Sequence, residues 1–167
     1  MPASQSCLER SNAFKYQMQF QGTLAEIVCM DIIQRYIFQK KLYPEFFVQR
    51  YDDIRNDNFK SAEREFDIKI YQSNNPDKYY LIESRSSIAK DRSLTDAIKT
   101  LDIIGPYYNF MKMNEKFFDF YIRPLYWYKN YANGNYDAKH FSELFLSGSI
   151  DLYIVAGCTK KDMQIKS

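Results

Sequence analysis

The chain has 167 residues, of which 46% are hydrophobic and 26% are charged, and its formal net charge is +2. This composition is typical of a single globular domain and excludes an intrinsically disordered chain. The five glycines form no phosphate-cradling GxGxxG or GxxxxGK[ST] loop, and nucleic-acid binding would need a local basic face because the net charge is so small.

Three cysteines and one histidine limit the metal and redox chemistry of the chain. Cys7, Cys29 and Cys158 are odd in number and widely spaced, which argues against a disulfide framework and against a zinc cluster. One histidine excludes a histidine-rich metal site. The first residues lack the apolar core of a signal peptide, and no apolar run reaches membrane-spanning length. We therefore expect an intracellular protein, cytoplasmic or nuclear, in a reducing compartment and without a membrane partner.

The N-terminal part predicts one long helix. We expect residues 1–22 to be a loose segment that leads into a single domain, residues 23–167; within that segment, residues 13–20 fit a short helix or a strand. Thr23 and Glu26 have the spacing of a capping box, which predicts a helix over residues 24–39. Its predicted buried stripe is Leu24, Ile27, Val28, Ile32 and Tyr36.

A β-hairpin follows in the sequence. Residues 46–51 predict a first strand, and residues 65–71 alternate apolar with polar side chains, as a strand with one buried face does. Residues 79–85 are aromatic and branched before they turn polar. Between these two runs, residues 73–77 are turn formers, so the runs predict an antiparallel hairpin. This hairpin would bring Asp67 close to Glu83.

Two carboxylates followed by a cation suit a hydrolytic metal site. Mg²⁺ takes oxygen ligands, typically one or two carboxylates together with waters and phosphate oxygens, and Mn²⁺ is the expected substitute. A nearby Arg or Lys would stabilise negative charge on the phosphate. The opposite interpretation is also open, because Asp67 fits a solvent-facing strand residue and Glu83 and Arg85 fit an ordinary same-face pair.

The pattern Asp67, then Glu83-Ser84-Arg85, resembles the PD-(D/E)XK nuclease superfamily, which includes type II restriction endonucleases. The resemblance implies that Asp67 and Glu83 bind the metal and that Glu26, on the preceding helix, is an optional third acid; its other interpretation is the helix cap. The sequence departs from the family because no Pro precedes Asp67 and because Arg85 replaces the usual Lys. Arg stays protonated and cannot act as a base, so Lys90 or Lys99 would take the role of that Lys.

Further cations are candidates for phosphate contacts, although ordinary surface charge is the alternative. Residues 93–96 form a second capping box, which predicts a helix with Leu94, Ile98, Leu101 and Ile104 as its buried stripe. In the resembling family this helix packs near the DNA. The candidate nucleic-acid-binding residues are Lys60, Arg64, Lys69, Arg92 and Lys99.

Residues 107–131 are rich in aromatic side chains, and residues 118–123 alternate as a strand does. Their rings fit base stacking, but a core or a dimer interface is the more common role of such segments. A turn at residues 132–137 and a short helix at residues 138–146 follow, and His140 on that helix is expected at the surface.

The C-terminal residues repeat the motif in another form. Residues 150–155 and 163–167 predict two strands joined by a turn at residues 157–161. Asp151 with Gln164-Ile165-Lys166 resembles the Asp and Gln-x-Lys variant of the same superfamily, so these residues are the alternative catalytic set. We prefer the Asp67 site, because no later helix in this sequence would cover the C-terminal one.

These patterns predict an α/β fold with a mixed central β-sheet flanked by helices, a restriction-endonuclease-like core with the helix from Leu24 on one face and that from Leu94 on the other. The resemblance implies Mg²⁺-dependent hydrolysis of phosphodiester bonds, in DNA more than in RNA, and a homodimer as a candidate assembly. The alternatives are an inactive nuclease-fold module that binds nucleic acid or protein, and the endonuclease domain of a larger polymerase or repair assembly.

Overall fold

The computed structural model describes residues 12–56, 66–101 and 117–166. Their helices and strands are α1 (Asn12–Gln39), β1 (Phe46–Arg50), β2 (Ile68–Gln72), β3 (Asn75–Ser84), β4 (Ser87–Ala89), α2 (Leu94–Thr100), β5 (Phe120–Tyr128), α3 (Phe141–Leu146), β6 (Ile150–Thr159) and α4 (Lys160–Lys166). The predicted strands at residues 46–51 and 118–123 are confirmed by β1 and β5.

The strands of the described residues form one mixed sheet, as predicted. β1, β2 and β3 are an antiparallel meander, which confirms the hairpin, whereas β3 and β4 run parallel to β5 and β6 pairs antiparallel with β5 on its other side. Ser84 pairs with Ile122 and Ser87 pairs with Leu125. Because both pairs have the same offset, β3 and β4 are one line of backbone interrupted at residues 85–86.

Helices α1 and α2 pack on opposite faces of this sheet. Cys29 of α1 packs on Ile68 and Ile82, and Ala25 of α1 shares a cluster with Tyr126. Ala97 of α2 packs with Ala89 and Leu125. Neighbouring residues of a strand point to opposite faces, so Leu125 and Tyr126 place α2 and α1 on opposite sides, as predicted.

Helix α1 differs from the prediction at its start and in its buried face. It includes residues 12–22, so these residues are not a loose segment, residues 13–20 are helical, and Thr23 lies inside the helix instead of capping it. The buried positions recur at four-residue spacing and include Gln17, Gln21, Ala25 and Cys29. Ile27, Ile32 and Tyr36 are exposed.

Hydrogen bonds join this buried face to the rest of the fold. The side-chain oxygen of Gln17 accepts a hydrogen bond from the Ser142 N–H at 2.7 Å, which makes burial of this polar side chain tolerable, and the backbone carbonyl of Gln21 accepts one from the Tyr126 hydroxyl at 2.7 Å. Apolar residues occur on every side of α1, so hydrophobic periodicity selected the buried face only in part: Leu24 packs on the core, whereas Ile27, Ile32 and Tyr36 do not.

Helix α2 confirms one prediction and corrects another. The Ser93 hydroxyl accepts a hydrogen bond from the Asp96 N–H at 3.1 Å, as a helix cap does. Leu94 and Leu101 pack in the core, but Ala97 is the buried residue of this helix and Ile98 is 45% exposed. Ile104 lies outside the described residues.

The described part of the aromatic segment contributes to the core. Tyr121, Tyr126 and Tyr128 of β5 are almost completely buried, which favours the core interpretation for them over base stacking. Tyr107, Tyr108 and Phe110 lie outside the described residues. The predicted short helix is confirmed by α3 and a preceding 3-10 turn, and His140 is exposed.

The C-terminal prediction is wrong in its second half. β6 continues through residues 157–159, where a turn was expected, and residues 160–166 form α4 instead of a strand. Thr159 and Asp162 explain the change. The Asp162 carboxylate accepts a hydrogen bond from the Thr159 N–H at 3.0 Å, and the Asp162 N–H lies 3.3 Å from the Thr159 hydroxyl. This reciprocal pair is a capping box and starts a helix.

Candidate active site

The open end of the β2–β3 hairpin, called the hairpin mouth below, contains Asp67, Glu83, Ser84 and Arg85. Ile68 pairs with Ile82, so the residue before Ile68 lies beside the residue after Ile82. Asp67 Oδ2 accepts a hydrogen bond from the Ser84 backbone N–H at 2.7 Å. The hairpin therefore brings Asp67 next to the Glu83–Arg85 segment, as the sequence predicted.

Glu83 and Arg85 form an ion pair with each other. Arg85 Nε donates to Glu83 Oε1 at 2.8 Å, and the two side chains are only 16% and 15% exposed. Both side chains are thus less exposed than in an ordinary surface ion pair, which was the alternative interpretation of these two residues. Ser84 between them contacts Cys29 of α1, so alternation along the strand directs Glu83 and Arg85 to the face opposite α1.

Tyr121 lies beside this ion pair in the sheet. It pairs with Glu83 in the parallel β3–β5 register. Burial raises the pKa of its hydroxyl, the hydrogen bond from the Phe118 N–H opposes this shift, and the negative charge of Glu83 adds to it. The hydroxyl therefore stays protonated at neutral pH and keeps its capacity to donate a hydrogen bond at this face.

Glu26 approaches the hairpin mouth from the α1 side. Its side chain is buried, and it lies one turn before Cys29, whose Sγ is 3.6 Å from the Ser84 Oγ. Burial raises the pKa of the Cys29 thiol to about 11, and the negative charges of Asp67 and Glu26 add to that shift. The charges of both carboxylates therefore act on the Cys29 thiol, on the α1 side of the hairpin mouth.

The strand break after Ser84 is held by a residue that the sequence analysis missed as a site residue. Arg123 of β5 is 3% exposed. Its Nη1 donates to the Arg85 carbonyl at 2.8 Å, and its Nη2 donates to the Ser87 hydroxyl. One guanidinium thus bridges β3 and β4 and fixes the backbone of Arg85. The sequence signal is an Arg at a position of β5 where the neighbouring side chains on the same face, Tyr121 and Leu125, are apolar.

Asp119 is a second residue that was not singled out. Its Oδ2 accepts a hydrogen bond from the Leu81 N–H at 2.8 Å, and its backbone N–H donates to the Leu81 carbonyl at 3.0 Å. Near the C-terminal end of β3, Asp119 therefore binds the backbone of Leu81 on the β5 side, and Asp67 binds the backbone of Ser84 on the β2 side. Asp before a strand is a weak signal, because such residues are common in turns.

The predicted phosphate-binding cations are scattered over the structure. Lys69 lies on β2, two residues from Asp67, with its ammonium 4.3 Å from the centre of the Tyr79 ring. Lys90 lies 5.7 Å from the Tyr136 ring centre, and Arg92 forms an exposed ion pair with Asp91. Lys99 is exposed in the last turn of α2. Lys60 and Arg64 lie outside the described residues.

The alternative catalytic set is separated by the fold. Asp151 is near the start of β6, and α4, which carries Gln164 and Lys166, begins after the last residue of that strand. The eight residues from Asp151 to Thr159 span about 26 Å at the usual rise of a strand. Asp151 instead forms an ion pair with Lys129 at 2.9 Å. The predicted pairing of Asp151 with the Gln-x-Lys triplet is therefore wrong.

Within residues 12–56, 66–101 and 117–166, no group of three or more His, Cys, Asp or Glu side chains is arranged to hold a metal ion. Mg²⁺ needs fewer, because it is commonly bound through one or two carboxylates with waters and substrate phosphates. Asp67 and Glu83 supply the hard oxygen donors that this ion prefers. Accepting one hydrogen bond does not prevent metal binding by a carboxylate, which has about four lone-pair sites.

The comparisons with known proteins identify no relative. No protein-family model, no curated protein and no solved structure matches the chain. Among the described helices, none combines the length and the apolar character that crossing a bilayer requires. The functional assignment therefore depends on the geometry of the hairpin mouth.

Proposed function

We propose that the chain is a metal-dependent endonuclease of the PD-(D/E)XK type, with a restriction-endonuclease-like core and nucleic acid as its substrate. The observation that carries the proposal is the 2.7 Å hydrogen bond from the Ser84 N–H to Asp67, because it holds one acid beside the Glu83–Arg85 pair. The element order supports it: α1, β1, the β2–β3 hairpin and α2 follow one another, with α1 and α2 on opposite faces.

In this proposal each side chain has a distinct role. Asp67 and Glu83 bind Mg²⁺ or Mn²⁺, which when bound acts as a Lewis acid and lowers the pKa of a coordinated water. Arg85 stays protonated, so it stabilises negative charge on the phosphate and does not remove a proton. Glu26 supports Asp67 from the α1 side, and Arg123 positions Arg85 through its carbonyl.

Lys90 directly follows β4, and we assign it a contact with the substrate phosphate near Arg85. DNA is the preferred substrate and a homodimer the preferred assembly, because enzymes of the resembling family usually cut duplexes as dimers.

A nuclease-fold module that binds nucleic acid without cutting it is the second candidate. The ion pair between Arg85 and Glu83 favours this function, because Arg85 neutralises one of the two carboxylates at 2.8 Å. Binding would then be retained while metal affinity is low.

The test measures Mn²⁺ binding and cleavage of labelled DNA and RNA with Mg²⁺, Mn²⁺ or EDTA. Asp67→Asn and Glu83→Gln remove the charges but keep acceptor oxygens, and Asp151→Asn is the matched control at the separated acid. We expect wild type and Asp151→Asn to bind Mn²⁺ and cut, and both site variants to lose at least about 100-fold in rate, as expected for loss of a major electrostatic contribution. A folded wild type that neither binds Mn²⁺ nor cuts would overturn the proposal and favour the second candidate.

A further inference from the structure

The meander of β1, β2 and β3 presents aromatic side chains on the face opposite α1. Phe47 pairs with Tyr71 and Tyr71 pairs with Tyr79, so these three residues, called the aromatic row below, lie side by side across three strands. The next residues along these strands, Val48, Ile70 and Tyr80, have the opposite orientation, and Val48 and Ile70 pack with Cys29 of α1. The aromatic row therefore lies on the same face as Glu83 and Arg85.

The rings of the aromatic row are close to one another and to a cation. The Phe47 and Tyr71 rings are stacked, with centres 5.8 Å apart and planes 23° apart. The Lys69 ammonium is 4.3 Å from the Tyr79 ring centre and 5.8 Å from that of Tyr71. Tyr79 is 45% exposed, and Phe47, Lys69 and Tyr71 are partly exposed, whereas Ile68 and Ile82 on the α1 face are fully covered.

Aromatic rings interleaved with a cation match the chemistry of an unpaired nucleic-acid strand. Bases stack on aromatic side chains in a largely sequence-independent way, and cations contact the backbone phosphates. In a duplex the base faces are already stacked on one another, so these rings cannot use them.

We propose that the aromatic row and Lys69 form a binding surface for single-stranded nucleic acid. Binding by this surface does not depend on the proposed endonuclease activity. Only the position at which the bound strand is cut rests on that activity. Tyr71 and Tyr79 are each four residues along their strands from Asp67 and Glu83, which corresponds to about 13 Å. A few nucleotides of an extended strand span that distance, so bases held on the aromatic row would direct a neighbouring phosphate to the hairpin mouth.

The test is fluorescence anisotropy with a labelled 12-nucleotide mixed-sequence strand, as DNA and as RNA, and with the DNA duplex of the same sequence, all in EDTA so that no cleavage occurs. Tyr79→Ala should weaken single-strand binding about 5- to 100-fold, the usual effect of losing one stacking ring, and Tyr79→Phe should bind as wild type does. Tyr80→Ala is the matched control, because Tyr80 is 44% exposed on the opposite face of the same strand.

Salt dependence gives an independent measurement. Lys69→Ala should lower the slope of log affinity against log salt by about 0.7, the value for one lost phosphate contact on a single strand. Lys78→Ala, an exposed lysine of β3 on the opposite face, should leave the slope unchanged. Equal losses in Tyr79→Ala and Tyr80→Ala, or a duplex bound as tightly as the single strand, would overturn the inference.

The outcomes separate this inference from the proposed activity. Binding that depends on Tyr79 without any metal-dependent cleavage supports the surface and overturns the endonuclease. Metal-dependent cleavage together with single-strand binding that is unchanged in Tyr79→Ala overturns the surface and keeps the endonuclease.

Discussion

In the β2–β3 hairpin, β2 ends at Gln72 and β3 begins at Asn75, so the chain reverses within two residues and β3 brings Ser84 back beside Asp67 at the hairpin mouth. At the C-terminal end, β6 runs on to Thr159 and a helix follows, so the Gln-x-Lys triplet lies on an element that begins beyond the end of the strand that carries Asp151. Both regions have the same kind of motif: Asp67 is followed by Glu83 and Arg85, and Asp151 is followed by Gln164 and Lys166. The difference shows that the residues between the two halves of such a motif decide whether the halves meet.

The two regions also differ in how their charges are held. At the hairpin mouth, Arg123 is buried and bridges the Arg85 carbonyl and Ser87. At the other end of β5, Lys129 and Asp151 form an ion pair whose side chains are 41% and 38% exposed. Exposed ion pairs stabilise a protein little, whereas removal of a buried charged donor leaves its acceptors unpaired and costs more. Matched substitutions, one in each region, can therefore measure how much more the contacts at the hairpin mouth contribute to the free energy of unfolding.

The largest effect is expected for Arg123. Arg123→Met removes two hydrogen bonds and leaves the partly buried Arg85 carbonyl without its charged donor, so the free energy of unfolding should fall by about 3 to 5 kcal/mol. Lys129→Met, the matched change at the exposed pair, should cost less than about 1 kcal/mol. Urea unfolding monitored by circular dichroism measures both. Equal losses in the two variants would show that Arg123 does not hold the β3–β4 junction.

A pH effect should distinguish Cys29 from Cys158. The pKa of Cys29 is about 11 in the folded protein against 9.0 for the ordinary thiol, so the unfolded chain loses this proton first. Stability is therefore fully present below about pH 9 and falls as the pH rises towards 11, by about 2 to 3 kcal/mol at 1.36 kcal/mol per pKa unit. Unfolding free energies at pH 8, 9, 10 and 11 should show this slope in wild type and in Cys158→Ala.

Cys29→Ala removes the titrating thiol, so its slope over the same range should be smaller. Tyrosines whose pKa values are raised mainly by burial contribute to the slope in all three proteins, which is why the comparison is between variants. An unchanged slope in Cys29→Ala would contradict the buried, carboxylate-flanked setting of this thiol.

A smaller effect is expected for the two aspartates. Asp67→Ala leaves the partly buried Ser84 N–H without its acceptor, which should cost about 1 to 3 kcal/mol. Asp151→Ala breaks an exposed pair and should cost at most about 1 kcal/mol. Asp67→Asn keeps an acceptor oxygen, so its loss of unfolding free energy should lie between those of Asp67→Ala and Asp151→Ala. Thermal unfolding at neutral pH measures the series, and a loss in Asp151→Ala as large as that in Asp67→Ala would remove the proposed difference.

The sequence predicted the parts of this fold that depend on residues close to one another along the chain. The hairpin turn, the alternation along β2 and β5, and the Ser93 cap depend on neighbouring residues and were predicted, although the turn occupies only residues 73–74 and residues 75–77 of the predicted turn belong to β3. The buried face of α1 was not, because it meets residues more than 100 positions away: Ser142 donates to the Gln17 side chain and Tyr126 to the Gln21 backbone carbonyl. Arg123 was missed for the same reason: its role exists only once β3, β4 and β5 lie side by side.

The candidate site shows the same limit. The sequence predicted the meeting of Asp67 with Glu83, because one hairpin joins them. It did not predict that Ser84 contacts α1 while Glu83 and Arg85 face away from it, which depends on the packing of Cys29 against Ile68 and Ile82. It also placed the second site wrongly, because the capping box at Thr159 was overlooked.

That capping box gives the smallest and most local prediction. Thr159→Ala removes the oxygen that accepts from the Asp162 N–H, which should cost about 1 kcal/mol, the usual value for a lost N-cap. Thr159→Ser keeps the oxygen and should cost little. Because α4 has seven residues and short helices depend on their caps, amide hydrogen exchange over residues 162–166 should accelerate in Thr159→Ala while exchange in β2 and β3 stays unchanged. Unaltered exchange in α4 would mean that packing of Met163, which is buried, and not the cap, turns the chain from strand to helix here.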